Sequence, residues 1–217
     1  MSLLKKISSS FLLAGFIVPL NQKGAWQDLA YRSIPKNQLV FSDQGLEIQV
    51  KKSSSPTFFP LPEPMKIHKI SAKAKVSGGG IQIPSGKTQG HKGFDDFPFR
   101  LGIVEKGDQR LNWFQRQVAP AWVLKLHSLA PEGIGVKGIN YIVATNQKKL
   151  IGQSRKHPLS DLIHETYVTM PNDKGEITIE KSFDPPVEGL ALWIGADGDD
   201  TGSSFDLVIE KIEINGK

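Results

Sequence analysis

Oxygen-bearing side chains are concentrated at two places in this chain. The first is Asp197-Gly198-Asp199-Asp200-Thr201-Gly202, which offers side-chain oxygens at the alternate positions 197, 199 and 201 and has glycines that permit a sharp turn. Carboxylate and hydroxyl oxygens so spaced form the opening of a loop for a hard cation such as calcium. A helix–loop–helix calcium site is not completed here. Its twelfth position, which calls for a bidentate glutamate, is Val208, and Glu210 lies two residues beyond. Carboxylates this crowded repel one another unless a cation or a basic group stands between them. An ordinary Asp/Gly turn, whose side chains bond their own backbone, has the same composition. Asp197, Asp199 and Thr201 are therefore candidate ligands of a structural calcium ion, with the plain turn as the competing reading.

The second place is Asp95-Asp96, which opens the stretch leading to Arg100. Strand alternation puts Asp96 and Arg100 on one face. On a surface such a pair contributes only about 0–1 kcal/mol, but Asp95, Asp96 and Arg100 together can also clamp a polar ligand. Other chemistry is thin. Gln82-Ile83-Pro84-Ser85-Gly86-Lys87-Thr88 ends like a phosphate-binding loop, yet Ile81 stands where the first glycine is needed. The five histidines, at 68, 91, 127, 157 and 164, have neither H-x-H nor H-E-x-x-H spacing. There is no G-x-S-x-G, and the absence of cysteine excludes thiol nucleophiles, disulfides and thiolate zinc sites. Glu105, Glu165, Glu180 and Glu210 can pair as acid and base only if the fold brings them together. Trp113, Trp122 and Trp193 can stack on sugars, although their apolar surroundings point to buried packing.

The elements that must position these groups read as short strands. The 21 glycines and 14 prolines in 217 residues favour turns over long helices. Leu39–Ser42 and Leu46–Lys51, joined through Asp43-Gln44-Gly45, predict a hairpin. Pro56 to Pro64 suggests an edge crossing or an extended loop. Residues 66–76 alternate, with Ile67, Ile70, Ala72, Ala74 and Val76 inward after a break near Lys69. The glycine-rich stretch 77–93 is a long loop suited to ligand contact, and 97–104 resumes as a strand. Leu111, Phe114, Val118 and Trp122 have helical spacing, and Pro120 divides them into two short helices, with a strand at 122–126 as the alternative. Further strands are predicted at 138–145, 165–170, 175–183, 190–196 and 205–214, the last with a slip of phase near Lys211. The fold class expected is all-β: one antiparallel two-sheet sandwich, the jelly roll among its options, with a helical insertion near 109–130.

Lys5 and Lys6 followed by the apolar run Phe11–Leu20 resemble a secretion signal, predicting a leader over 1–25 and a single domain over 26–217, with a buried N-terminal strand or helix as the alternative. The run is too short for a transmembrane helix, which needs about 20 apolar residues. The leader would carry away Lys5, Lys6 and Lys23, leaving 24 basic against 22 acidic side chains, a net of +2 where the whole chain has +5. Basic residues are interspersed with acids, so no nucleic-acid surface is expected.

The segments Phe94-Asp95-Asp96-Phe97 with Arg100, and Ala191-Leu192-Trp193 with Asp197-Gly198-Asp199-Asp200-Thr201-Gly202, resemble a group of exported bacterial proteins that share a domain of unknown function, loosely over residues 38–214. The resemblance implies a secreted β-sandwich and no particular activity. The function expected is a non-catalytic periplasmic or extracellular binding module for carbohydrate or another envelope ligand. A carboxylate-dependent hydrolase of wall or glycan polymers, using Asp95, Asp96 or Asp199, and a scaffold or assembly protein are the alternatives.

Overall fold

The computed structural model describes residues 15–216. Its strands are β1 (Gly15–Ile17), β2 (Gln27–Asp28), β3 (Gln38–Ser42), β4 (Gly45–Lys51), β5 (Thr57–Gly78), β6 (Phe99–Gly107), β7 (Gly135–Ala144), β8 (Ser154–His157), β9 (Ser160–Thr169), β10 (Glu176–Gly195) and β11 (Ser204–Gly216). Two helices, α1 (Trp113–Val118) and α2 (Ala121–Ser128), lie between β6 and β7. The strands pair in the order β3-β4-β11-β5-β10-β6-β7-β9-β8, with β1 added to β11 and β2 to β5. All pairings are antiparallel except β7 with β9, which is parallel.

The expected sandwich is built from one continuous ladder. β5 and β10, 22 and 20 residues long, run through both layers. The first layer holds β3, β4, β11 and the later part of β5, and the second holds the end of β10 with β6, β7, β9 and β8. Register shifts between Ser182 and Val187 and between Gly189 and Ala191 fall where the paired strands pass from one layer to the other. The main core lies between the layers: Leu46, Ile48, Ile70, Ala72, Leu207 and Ile209 from one side, Phe99, Leu101, Ile103, Ile142 and Leu192 from the other. The phase slip read near Lys211 is a bulge between Ile209 and Lys211, after which Ile212 and Ile214 return to the core.

A second apolar cluster covers the opposite face of the second layer, joining Phe58, Phe97, Val104, Val143 and Trp193 to Leu126 of α2. Residues on both sides of β6 are therefore buried, which position-by-position alternation of polarity could not have announced.

Several expectations are corrected. Pro56 to Pro64 is no loop: Thr57 onward is part of β5, with Phe58 and Phe59 buried. Its prolines at 60, 62 and 64 fall between the residues that pair with β2 and those that pair with β11, where the missing N–H costs no ladder bond on that side. Segments 175–183 and 190–196 are one strand, β10. The strands at 190–196 and 205–214 follow one another in sequence but are not paired, because β5 lies between β10 and β11. The insertion is helical as predicted, not a strand at 122–126, and Pro120 occupies the N-cap of α2 rather than its first turn. The predicted boundary at residue 25 cuts through packed structure: β1 pairs with β11, and Val18 and Leu20 are buried in the main core. The earlier part of the predicted leader, residues 1–14, lies outside the described residues.

Candidate functional site

The second layer turns its non-core face toward the α2 segment and the loops, and two rows of side chains cross it. Register places Trp193 opposite Gly102, Gly102 opposite Tyr141, Tyr141 opposite Glu165 and Glu165 opposite Arg155. The next row aligns Gly195, Arg100, Val143 and Tyr167. Gly102 is required by contact: a Cβ there would lie 2.9 Å from both Ile139 Cγ2 and Tyr141 Cδ1. A cavity of about 370 Å³ opens above these rows. Its apolar wall includes Tyr31, Trp122, Tyr141 and Leu159, and its polar wall Asp95, Arg100, Glu165, Asp197, Asp199 and Asp200.

The two oxygen-rich segments meet here. Arg100 is 6 % exposed and lies at the centre. Its Nε donates to Glu165 Oε1 at 3.1 Å, its Nη1 to Asp197 Oδ2, and its Nη2 to the Asp95 carbonyl at 2.8 Å. Its guanidinium rests 4.4 Å from the centroid of Phe97. A second cation completes the frame, with Arg155 Nε donating to Glu165 Oε2 and Nη2 to Asp95 Oδ1, both at 2.6 Å. Glu165 thus bridges two guanidiniums, and Tyr167 Oη adds a bond at 3.2 Å. His157 Nε2 lies 2.8 Å from Asp95 Oδ2.

Asp96 faces away from Arg100 and ties the acidic loop to the strand that follows it. Its Oδ2 accepts the Thr201 N–H at 2.7 Å and the Thr201 hydroxyl at 2.6 Å, while Oδ1 accepts the Asp200 N–H at 3.2 Å. Asp95 N–H returns a bond to Asp200 Oδ2 at 3.1 Å, and Phe97 N–H donates to Asp197 Oδ1 at 2.9 Å. The pairing of Asp96 with Arg100 expected from alternation is therefore not formed; residue 95 precedes the strand, and Asp95 makes the contact instead. Thr201 lies beside the acidic cluster, its hydroxyl 2.6 Å from Asp96 Oδ2. Asp96 joins the two candidate carboxylates, because one oxygen from each of Asp96, Asp197 and Asp199 converges within 4.8 Å.

The electrostatics follow from burial. Six carboxylates (Asp95, Asp96, Glu165, Asp197, Asp199 and Asp200) surround two guanidiniums. Burial, with Asp96 and Asp95 adding to it against the opposing Arg100, pushes the Asp197 carboxyl up to about 8. Burial and Asp96 also raise Asp199. Burial alone would raise Asp95 as well, but the His157 hydrogen bond, Arg100 and Arg155 outweigh it and hold that carboxyl below its ordinary value. Tyr31 is pushed up to about 12 by burial and by Asp197, so its hydroxyl is a neutral donor beside the cavity.

Arg155, His157, Glu165 and Tyr31 are the parts that sequence reasoning left out or left unplaced. Glu165 had been named only among four acids of unknown separation, and the histidines had been weighed only for zinc spacing. The expected burial of the tryptophans holds for Trp193 at 2 % exposure but fails for Trp113 at 76 %. Trp122 is half-buried and lines the cavity. The loop 79–98 reaches the site through Gln89, whose Nε2 donates to the Asp96 carbonyl at 2.7 Å and whose Oε1 accepts from Thr145 Oγ1 at 2.6 Å.

No family model and no curated protein matches the chain. Among solved structures it is similar to a family 11 carbohydrate-binding module from Clostridium thermocellum in complex with a β-1,3-1,4-mixed-linked tetrasaccharide, at 12 % identity and TM-score 0.45, covering 93 % of this chain and 95 % of that one. It is similar to the xylan-binding module CBM15 at 9 % identity and TM-score 0.42, covering 94 % and 96 %. It is also similar to the exoplasmic/lumenal domain of VIP36 in a form bound to Ca2+ and Man3GlcNAc, at 8 % identity and TM-score 0.43, covering 94 % and 88 %. At these scores the likenesses bear on no residue of the site, which is judged on its own geometry. Among the described residues no helix is long and apolar enough to cross a membrane.

Proposed function

We propose that the chain is a non-catalytic binding module that takes a carbohydrate into the cavity over the second layer. The observation that carries this reading is the pairing of two walls. Tyr31, Trp122 and Leu159 offer apolar surface on which a sugar ring can lie. Opposite them Asp199, Asp200 and the neutral Tyr31 hydroxyl offer acceptors and a donor for its hydroxyls. The frame behind that wall is fixed by ion pairs, so the ligand meets preformed geometry.

Binding is preferred to hydrolysis because two of the three acids a hydrolase would use, Asp95 and Asp96, are already engaged. Asp96 accepts three bonds from Thr201 and Asp200, and both oxygens of Asp95 are held by Arg155 and His157. The test is a pull-down on purified peptidoglycan and polysaccharides with an assay for released sugar. Retention without release supports the module, release establishes an enzyme, and neither outcome leaves the cavity without a glycan role. Trp122→Ala should weaken retention about tenfold, since a stacking face contributes about 0.5–1.5 kcal/mol beyond its buried area; because Trp122 also packs against the second apolar cluster, retention is compared below the variant's own melting temperature.

A structural calcium ion on Asp96, Asp197 and Asp199 is a second reading, favoured by the convergence of their oxygens within 4.8 Å. An ion bound only by the folded state raises stability by mass action. Melting should then occur at higher temperature in excess calcium than in chelator, and coincident curves remove the ion.

A further inference from the structure

Helix α1 lacks the usual reason for a helix to exist. Most short helices are stable because they bury an apolar face, and six residues are too few to persist alone. Every residue of α1 is exposed, with Trp113, Phe114 and Val118 at 76 %, 67 % and 67 %. It is held at its start by a capping box, in which Asn112 Oδ1 accepts the Gln115 N–H at 2.8 Å and Gln115 Oε1 accepts the Asn112 N–H at 2.9 Å. The chain thus spends local hydrogen bonds on presenting two aromatic rings and a valine to solvent.

Charge says what would cover them. Residues 109–131 contain Arg110, Arg116 and Lys125 and not one aspartate or glutamate, in a chain that elsewhere mixes both signs. Among the described residues neither Arg110 nor Arg116 pairs with a carboxylate; each donates to a backbone carbonyl instead, of Gly133 and Leu111. Exposed Trp and Phe beside unpaired arginines suit the interface of a lipid bilayer, where aromatic rings settle at headgroup depth and cations meet anionic lipids.

We propose that α1 is a peripheral docking element for an anionic membrane surface, inserting Trp113, Phe114 and Val118 at headgroup depth while Arg110 and Arg116 meet the lipid charge. This is independent of the glycan reading of the cavity.

The test is co-sedimentation of the full chain with vesicles of phosphatidylglycerol and phosphatidylcholine in equal parts, against vesicles of phosphatidylcholine alone. Binding is expected to the anionic vesicles, to weaken with added salt, and to fall roughly tenfold or more in Trp113→Ala/Phe114→Ala and roughly tenfold in Arg116→Glu. Because α1 buries nothing, the variants should melt with the wild type, which separates lost docking from lost folding. Absence of anionic-vesicle binding, equal binding to both vesicle types, or unchanged binding by the double variant overturns the proposal. So does a concentration-dependent dimer that the double variant abolishes while vesicles remain unbound, which would assign the face to a second copy of the chain.

Discussion

The non-core face of the sheet carries opposite charges on nearby strands in both layers, with different consequences. In the first layer Lys69 of β5 reaches Glu180 of β10 at 2.8 Å, with side chains 39 % and 61 % exposed. In the second layer Arg100 of β6 reaches Glu165 of β9 at 3.1 Å, with side chains 8 % and 0 % exposed. Water and salt screen the first pair, and its two long side chains lose conformational freedom to make it. The second is closed in by Phe97, Tyr141 and the acidic loop, so each partner depends on the others for every hydrogen bond it has lost to burial. A cation and a carboxylate at similar distance thus act as surface decoration in one layer and as a frame in the other. What decides is whether something packs on top.

Removing the central cation should break the second layer's frame outright. Arg100→Ala leaves Glu165 with uncompensated buried charge and Asp197 without its donor, and should cost about 3–5 kcal/mol in chemical denaturation. A loss below about 1 kcal/mol would mean that the two layers do not differ in the way described. A smaller effect, and one that sharpens the contrast, is on pH dependence. Because the Asp197 carboxyl lies above its unfolded value, its contribution is fully present below about pH 4 and is lost as pH rises through about 8. Asp95 behaves oppositely: its carboxyl is lowered, so its contribution is present above about pH 4 and is lost as pH falls below that. Between those limits the stability of the wild type should decline with pH and that of Asp197→Asn should decline less. Parallel melting curves at pH 5 and pH 8 for the two proteins would contradict this. The smallest effect is expected at the exposed pair, where Lys69→Ala should change stability by about 0–1 kcal/mol and should do so less at high salt.

The fold was legible in the sequence where one face of a strand is dry and the other wet. The 38–51 hairpin, the inward set from Ile67 to Val76 and the slip near Lys211 all appear as read. Legibility failed where a strand crosses between layers, since the long β5 and β10 read as shorter pieces. Pro60, Pro62 and Pro64 looked like loop residues because a proline's tolerance depends on which side of it is paired, and that is set by distant strands. In the site, each of the two acidic segments could be found from its own spacing, and a basic group between crowded carboxylates was anticipated on electrostatic grounds. That Arg100 is this group, reaching 97 residues along the chain to Asp197 and 65 to Glu165, is a matter of register. Arg155 had no local signal at all, since an arginine in a short exposed strand looks like any solvated one.

The central places in the strand order belong to the last segments to be made. β10 separates β5 from β6, and β11 separates β4 from β5. A chain emerging from the ribosome therefore holds β4, β5 and β6 for most of its synthesis with the partners of their inner edges not yet translated. No two of these three strands pair directly, so the early product holds the β3-β4 hairpin and the β6-β7-β9-β8 ladder as unjoined pieces. It must be kept from joining edge to edge with its neighbours until β10 and β11 arrive. Folding is then close to all-or-none and late, with most pairings spanning long stretches of chain. A product that stops short of Ser204 would be expected to accumulate as aggregate rather than as a truncated domain.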